Sequence, residues 1–155
     1  MHELVILIAK YFILLPPLLL AAVWLQAARS AKLQIIATLA AGAILSLVLA
    51  EIGRKLYNDP RPFVAGHFTP YFSHGADNGF PSDHTLFAAC VAYITLIFST
   101  RLGAVALVIA AFIGASRVIA GVHHFTDILG SLIFAGVGVG LSWLVVKRLT
   151  THRES

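Results

Sequence analysis

Residues 116–127 read Ser116-Arg117-Val118-Ile119-Ala120-Gly121-Val122-His123-His124-Phe125-Thr126-Asp127, a polar island between two strongly apolar segments. Ionisable groups cost free energy at or near hydrocarbon, so a cluster of them between two candidate spans marks the junction of two membrane helices and, with it, a site. Arg117 offers a planar fork of donors suited to a phosphate. Six residues on, His123 carries an imidazole able to act as nucleophile or proton carrier. Asp127 follows four residues later. A helix beginning near His123 would put Asp127 on the same face, its carboxylate holding the proton on one ring nitrogen and leaving the other free to attack. Taken singly, each of these residues reads equally well as a helix-end charge at a membrane surface. His124 points about 100° away from His123 on a helix and is read as flanking.

The surrounding composition sets the solvent of the fold. Of 155 residues, 59% are hydrophobic and 12% charged, and the mean hydropathy is +0.88, which excludes an ordinary soluble domain. The length accommodates about five spans of roughly 20 residues. An all-α integral membrane protein is therefore expected, a bundle of about five transmembrane helices forming one domain over residues 1–155. The net charge of +4 partly reflects basic loops that orient helices and does not imply nucleic acid. Cys90, the single cysteine, cannot form an intramolecular disulfide and is read as helix packing. Neither a linker-like or low-complexity run nor an internal repeat is present.

The first apolar run, about residues 3–25, begins with His2 and Glu3, and the charges Arg29 and Lys32 come after it. That is the reverse of a secretory signal peptide. It predicts a retained span with its N-terminus outside, kinked near Pro16 and Pro17, whose nitrogens cannot donate to the helix. Lys10 is expected to snorkel to the outer surface. The second run, about residues 33–53, has Gly42 and Ser46 suited to close helix contact, and Glu51 and Lys55 are spaced to pair. The long connection over residues 56–81 is of a length that is usually functional. It carries Asp59-Pro60-Arg61-Pro62, where two prolines stiffen the backbone around Arg61. Tyr57, Phe63, Phe68, Tyr71, Phe72 and Phe80 are expected to lie against headgroups. His67 and His74, among Gly, Ser and Asp, read as surface loop residues.

The connection closes with Phe80-Pro81-Ser82-Asp83-His84-Thr85 before a third apolar run to about Phe98. Ser82 or Asp83 can cap that helix. Its N-terminus would favour a bound phosphate, and His84 beside it would deliver a proton to a leaving oxygen. A short turn over residues 99–103 leads to a fourth run ending near Arg117. The fifth, about residues 123–146, is expected to pack tightly through Gly130, Gly136, Gly138 and Gly140.

Five spans put the termini on opposite sides and sort the basic residues. Arg29, Lys32, Arg101, Lys147, Arg148 and Arg153 fall on one side, and Lys10, Arg54, Lys55, Arg61 and Arg117 on the other. The second set consists almost entirely of residues with a phosphate role, so the first supplies the orienting charges and is expected to face the cytoplasm. The sorting gathers Arg54, Arg61, Ser82, His84, Arg117, His123 and Asp127, from three segments, at the outward face.

These residues resemble the type 2 phosphatidic acid phosphatase superfamily of membrane lipid phosphatases, whose motifs are Lys-x6-Arg-Pro, Pro-Ser-Gly-His and Ser-Arg-x5-His-x3-Asp. Ser116, Arg117, His123 and Asp127 match the third in full. The second reads Pro81-Ser82-Asp83-His84, with Asp83 in place of glycine. The first ends at Arg61-Pro62, with Arg54 where lysine is expected and Lys55 one residue off. The motif region, residues 54–127, is about half the chain. Many members have six spans, so the five counted here would be that core shortened by one helix. The Pro-Ser-Asp-His-Thr form resembles the bacitracin-resistance type of undecaprenyl pyrophosphate phosphatase.

The resemblance implies metal-independent phosphoryl transfer through a phosphohistidine, with no cofactor. His123 would attack, Asp127 would orient it, and His84 would protonate the leaving lipid phosphate and then activate water. Arg61 and Arg117, with Arg54 or Lys55 and Ser82, would hold the phosphoryl oxygens, and Asp83 and Ser116 would modulate the site. The implied substrate is an isoprenyl diphosphate, foremost undecaprenyl diphosphate, at a bacterial inner membrane with the site facing the periplasm or cell exterior. Phosphatidylglycerophosphate, phosphatidate and lipid A are the alternative lipids. A small anion-binding transporter would need the arginines but not His123. A metal site built from His67, His74, His84, His123 and His124 lacks a recognisable ligand spacing. Oligomeric state is not legible.

Overall fold

The computed structural model of the chain describes residues 2–151; Arg153, one of the expected cytoplasmic charges, lies outside them. The first apolar run forms α1 (His2–Tyr11), a 3-10 turn (Phe12–Leu14) and α2 (Leu15–Gln26). Pro16 and Pro17 sit in the first turn of α2, where backbone amides have no helical partner and proline costs nothing. The expected break is present, one turn earlier than the prolines themselves. There follow α3 (Arg29–Leu56), the short α4 (Pro62–Ala65), α5 (Asp83–Phe98), α6 (Thr100–Ile119) and α7 (Phe125–Thr151). The architecture is all-α; the pairing of Pro60 with Asn78 is an isolated bridge.

Among the described residues, four stretches are long and apolar enough to cross a membrane: His2–Gln26, Arg29–Leu56, Thr100–Ile119 and Phe125–Thr150. The remaining expected span is α5, whose 16 residues rise about 24 Å, short of the roughly 30 Å hydrocarbon core. It occupies the centre of the bundle, against α2, α3, α6 and α7. Leu86, Ala88, Ala89, Val91, Ala92 and Ile94 are all buried there. A helix walled in by others need not match the bilayer as closely as one that faces lipid. The five-pass expectation thus becomes four long passes around a shorter central one.

The turn expected over residues 99–103 shrinks to Ser99 alone, because α6 begins at Thr100. Helices α5 and α6 fold back on each other so closely that a Cβ on Gly103 would collide with the Leu96 backbone. Between α3 and α7, Gly42 faces Val139 and Gly138 faces Ser46. In a bilayer, where hydrophobic exclusion between helices is absent, such close contacts hold the bundle together. Gly140 has open space around it and takes no part, contrary to expectation. Leu18, Leu25, Ile44, Phe112, Leu141 and Leu144 remain exposed on the outer surface, the apolar face a bilayer requires.

The bundle has two chemically distinct ends. At one, the His2 ring lies 4.1 Å from the ring of Tyr71 in the long connection. At the other, Gln34 near the start of α3 donates to Thr150 Oγ1 at 3.1 Å. The first helix therefore starts at the end where α3 finishes and α5 begins, and α7 finishes at the opposite end with Lys147 and Arg148.

Candidate active site

The site begins with the way α6 stops. Val122 N donates to Arg117 O at 3.2 Å and Gly121 N to Val118 O at 2.9 Å, the paired bonds of a Schellman cap, which calls for a left-handed residue. Gly121 supplies it with φ of 77°, a conformation glycine adopts without steric cost. The reversal directs the Val122 carbonyl and His123 back over the end of the bundle.

Helix α7 starts at Phe125, not at His123 as expected, so His123 and Asp127 are not a same-face pair within one helix. They meet across the helix start instead. Asp127 Oδ2 accepts from the His124 amide at 2.9 Å, the backward arm of a capping box, and contacts His123 Nδ1 at 3.1 Å. Helix initiation and histidine orientation are thus one arrangement. Asp127 has no exposure and His123 only 3%. Because the carboxylate can only accept, Nδ1 carries the ring proton and Nε2 presents its lone pair.

That lone pair faces an arginine. Arg61, 5% exposed, donates from one terminal nitrogen to His123 Nε2 at 3.2 Å and to Val122 O at 2.9 Å. Its Nε donates to Asp77 Oδ1 at 2.9 Å. Arg117, also buried, reaches from α6 and places a terminal nitrogen 2.8 Å from His74 Nε2. His84, the second residue of α5, lies within electrostatic range of Arg117, and burial followed by that charge lowers its imidazole to about 4. The structure therefore brings together Arg61, His84, Arg117, His123 and Asp127 from the long connection, α5, α6 and the start of α7.

Burial pushes the His123 imidazole below its ordinary value of 6.5; the bond to Asp127 opposes this, and Arg61 and Arg117 add to the lowering. The ring is therefore neutral at physiological pH, the state in which Nε2 can act as a nucleophile. The hydrogen bond from Arg61 is the main reason the Asp77 carboxyl is held below the usual carboxylate range.

The other expected site residues are more peripheral. Arg54 lies between two carboxylates, Glu51 at 2.9 Å and Asp83 at 2.8 Å, and the second contact ties α3 to α5. Lys55 is 75% exposed and pairs with Glu51 at 3.6 Å, as its spacing predicts. Ser82 is fully buried and caps α5, its oxygen accepting from Thr85 N at 3.5 Å. The Ser116 hydroxyl donates to Ile113 O at 2.7 Å, a bond within α6. Lys10 is exposed with Nζ 5.3 Å from the Phe72 ring centre, consistent with snorkelling.

Sequence reading missed the residues that shape the long connection. His74 is half-buried in an exposed stretch of that loop, and its ring lies on Arg117, 5.9 Å from that of His123. His67 is exposed as expected. Asp59 Oδ2 bonds His124 Nδ1 at 3.1 Å and Thr126 Oγ1 at 3.2 Å. Asn78 donates to the Arg54 and Tyr57 carbonyls and accepts from Asp59 N and Phe80 N. The run Asp77-Asn78-Gly79 was the available signal, since such residues build turns through their own side chains. Phe80 packs on Tyr57 and Phe134 and above Gly130, so this aromatic holds the loop to the bundle instead of facing headgroups. Asp59, His124 and Asp127 have ligand-type atoms within 4.8 Å of one another; Asp59 Oδ2 and Asp127 Oδ2 receive protein donors, and Asp127 Oδ1 is buried without a partner among the described residues.

Two buried guanidinium groups beside an unprotonated ring nitrogen suit a phosphoryl group, and their position at the end of an apolar bundle suits one carried on a lipid. That combination defines a membrane lipid phosphatase. The sequence profile of the PAP2 superfamily matches residues 31–151, and the chain belongs to that superfamily: it is a multi-pass membrane protein and a hydrolase of lipid phosphates. It is 34% identical over 157 residues to the putative undecaprenyl-diphosphatase YbjG of Escherichia coli, covering 99% of this chain and 77% of that protein. It is 31% identical over 135 residues to undecaprenyl-diphosphatase BcrC of Bacillus subtilis, covering 87% and 69%. Among solved structures, the PAP2 type phosphatidylglycerolphosphate phosphatase of Bacillus subtilis aligns with a TM-score of 0.57 at 27% identity, over 97% of this chain and 77% of that one.

Proposed function

We propose that the protein, acting as a single domain, hydrolyses the terminal phosphate of undecaprenyl diphosphate, giving undecaprenyl phosphate and orthophosphate and so returning a carrier lipid to cell-wall synthesis. The observation that carries this reading is the line Asp127–His123–Arg61, with 3.1 Å at Nδ1 and 3.2 Å at Nε2. Asp127 fixes the tautomer, and Arg61 occupies the place on Nε2 that a phosphorus atom would take.

In the proposed reaction His123 Nε2 forms a bond to the terminal phosphorus as the bond to the bridging oxygen breaks. The negative charge of the bound diphosphate keeps a proton on His84, which gives it to that oxygen as the lipid monophosphate departs. His84 then takes a proton from water, which attacks the phosphohistidine and releases orthophosphate, restoring both histidines. Arg61 and Arg117 carry the compensating charge throughout, so the mechanism calls for no metal. Arg54 is the better placed of the two first-motif cations, through its contact with Asp83, and Ser82 contributes by fixing the start of α5. Asp83 and Ser116 modulate the site, Asp83 by holding Arg54 and Ser116 from within α6.

Support for the substrate comes from the two relatives named as undecaprenyl-diphosphatases and from the bundle itself. A cavity of about 290 Å³ lined by Leu39, Ala43, Leu86, Phe87 and Val91 opens beside Asp83. A second apolar cavity shares Leu39, Phe87 and Val91 and extends to Trp24. Together they suit a long hydrocarbon chain. The basic residues at the far end favour that end as cytoplasmic and an outward-facing site in a bacterial inner membrane. Phosphatidylglycerophosphate is the second reading, favoured by the structural likeness to a phosphatase of that lipid.

Phosphate release by the purified protein in excess chelator, from undecaprenyl diphosphate and phosphatidylglycerophosphate in parallel, tests the proposal. Release favouring the isoprenyl diphosphate, lost in His123→Ala and present in sealed right-side-out vesicles given external substrate, is expected. Preference for the phospholipid would move the substrate assignment, loss of activity in chelator would reject the metal-free mechanism, and activity only in inverted vesicles would reverse the orientation.

A further inference from the structure

We infer that His74 is a further phosphate-binding residue, donating from Nδ1 to the phosphoryl group while its other nitrogen holds Arg117. The inference rests on the proposed phosphohistidine reading of the same site. It concerns a residue in the long connection that belongs to none of the three motifs.

The tautomer follows from the contact. A guanidinium nitrogen can only donate, so Arg117, 2.8 Å from His74 Nε2, requires Nε2 to accept. The ring proton then sits on Nδ1. Burial, followed by the charges of Arg61 and Arg117, pushes the His74 imidazole below its ordinary value of 6.5, so the ring stays neutral and the assignment holds at physiological pH. His74 Nδ1 is buried and has no hydrogen-bond partner among the described residues. A weak interaction with the neighbouring Gly75 backbone partly opposes the lowering and leaves Nδ1 without a hydrogen-bond partner.

Arg117 Nε is likewise buried without an acceptor. Two donors on two touching side chains are thus left unmatched next to His123, whose ring lies edge-on to His74 with centres 5.9 Å apart. Buried donors are rarely left unpaired, because each forfeits its bonds to water without replacement. What would satisfy both is an anion with several acceptor oxygens held against His123. A phosphoryl group has that chemistry, and its oxygens gain charge as the bond to the lipid breaks. Asn78, four residues on, staples the loop to the Arg54 and Tyr57 carbonyls and so restrains the segment that holds His74 against Arg117.

Replacement by asparagine and by glutamine separates this role from that of a structural prop. An asparagine amide can donate from near the position of Nδ1, whereas glutamine can accept from Arg117 near the position of Nε2. His74→Ala is expected to lower kcat/KM about tenfold to a hundredfold and to weaken orthovanadate binding, measured by calorimetry, by a similar factor. His74→Asn should recover most of both, His74→Gln little of either, and the unfolding midpoint in detergent should change little across the series. Wild-type activity and vanadate binding in His74→Ala, or rescue by Gln instead of Asn, would overturn the inference. His123→Ala run beside the series keeps the two readings apart. Turnover in that variant would defeat the phosphohistidine reading, while vanadate binding alone would still decide the role of His74.

Discussion

The proposed chemistry at His123 depends on which nitrogen holds the proton, and a buried carboxylate decides that. Asp127→Asn keeps the size of the side chain, but Oδ2 takes both contacts, so an amide nitrogen in that place gives up the bond from the His124 amide and favours the wrong tautomer, while an oxygen there lacks the full charge that orients His123. A loss of about 10²- to 10⁴-fold in kcat is expected by analogy with the serine-protease triad, with helix content unchanged by circular dichroism. Because burial and the arginines hold His123 below 6.5, the acid limb of kcat/KM should lie below that pH. The same lowering at His123 and His74 means that the unfolded chain binds more protons than the folded one just below pH 6.5. Their contribution to stability is therefore present above about pH 6.5 and declines as the pH falls through the folded values. An acid limb centred above 6.5 would contradict a buried neutral nucleophile. His123, Asp127 and Arg117 were legible because their spacing ties three chemical functions to one junction, and Arg61 because prolines flank it. His74 was not, since Gly, Ser and Asp neighbours describe a surface turn and only the folded loop brings the ring onto Arg117.

Among the elements, α5 is the one whose environment the sequence described least well. Its apolar run and its Ser82 cap could be read directly, but its central position follows from tertiary packing against four other helices. The tight reversal into α6 makes Gly103 a test of that packing. Gly103→Ala would set a methyl group against the Leu96 backbone and should destabilise the protein by about 1–3 kcal/mol, read as a lower unfolding midpoint in detergent. Gly140→Ala, with open space around it, should stay within about 0.5 kcal/mol of the parent. Equal effects at the two positions would argue against the hairpin. The start of α7 shows a different limit. A four-residue spacing between His123 and Asp127 fits a helical face and also fits a contact across a helix start, and the pattern cannot distinguish them. Gly121, placed just beyond the apolar run, was the residue that could have marked the cap and moved the helix start to Phe125.

For the molecule as a whole, the sorting of charges to two ends was legible from the order of spans, and the bundle gathers at one end the residues that sorting predicted. The exact count of spanning helices was less so, because hydropathy measures apolar length and not whether a helix faces lipid or other helices. The central claim is that this end of the bundle transfers a phosphoryl group to His123. The most direct measurement is rapid quenching of purified protein with undecaprenyl diphosphate labelled in its terminal phosphate, followed by mapping of the labelled residue. The account predicts an alkali-stable, acid-labile label on His123, absent from His123→Ala and accumulating in a variant slowed at the water-attack step. Turnover without such a label under conditions that trap it, or a label on another side chain, would contradict it.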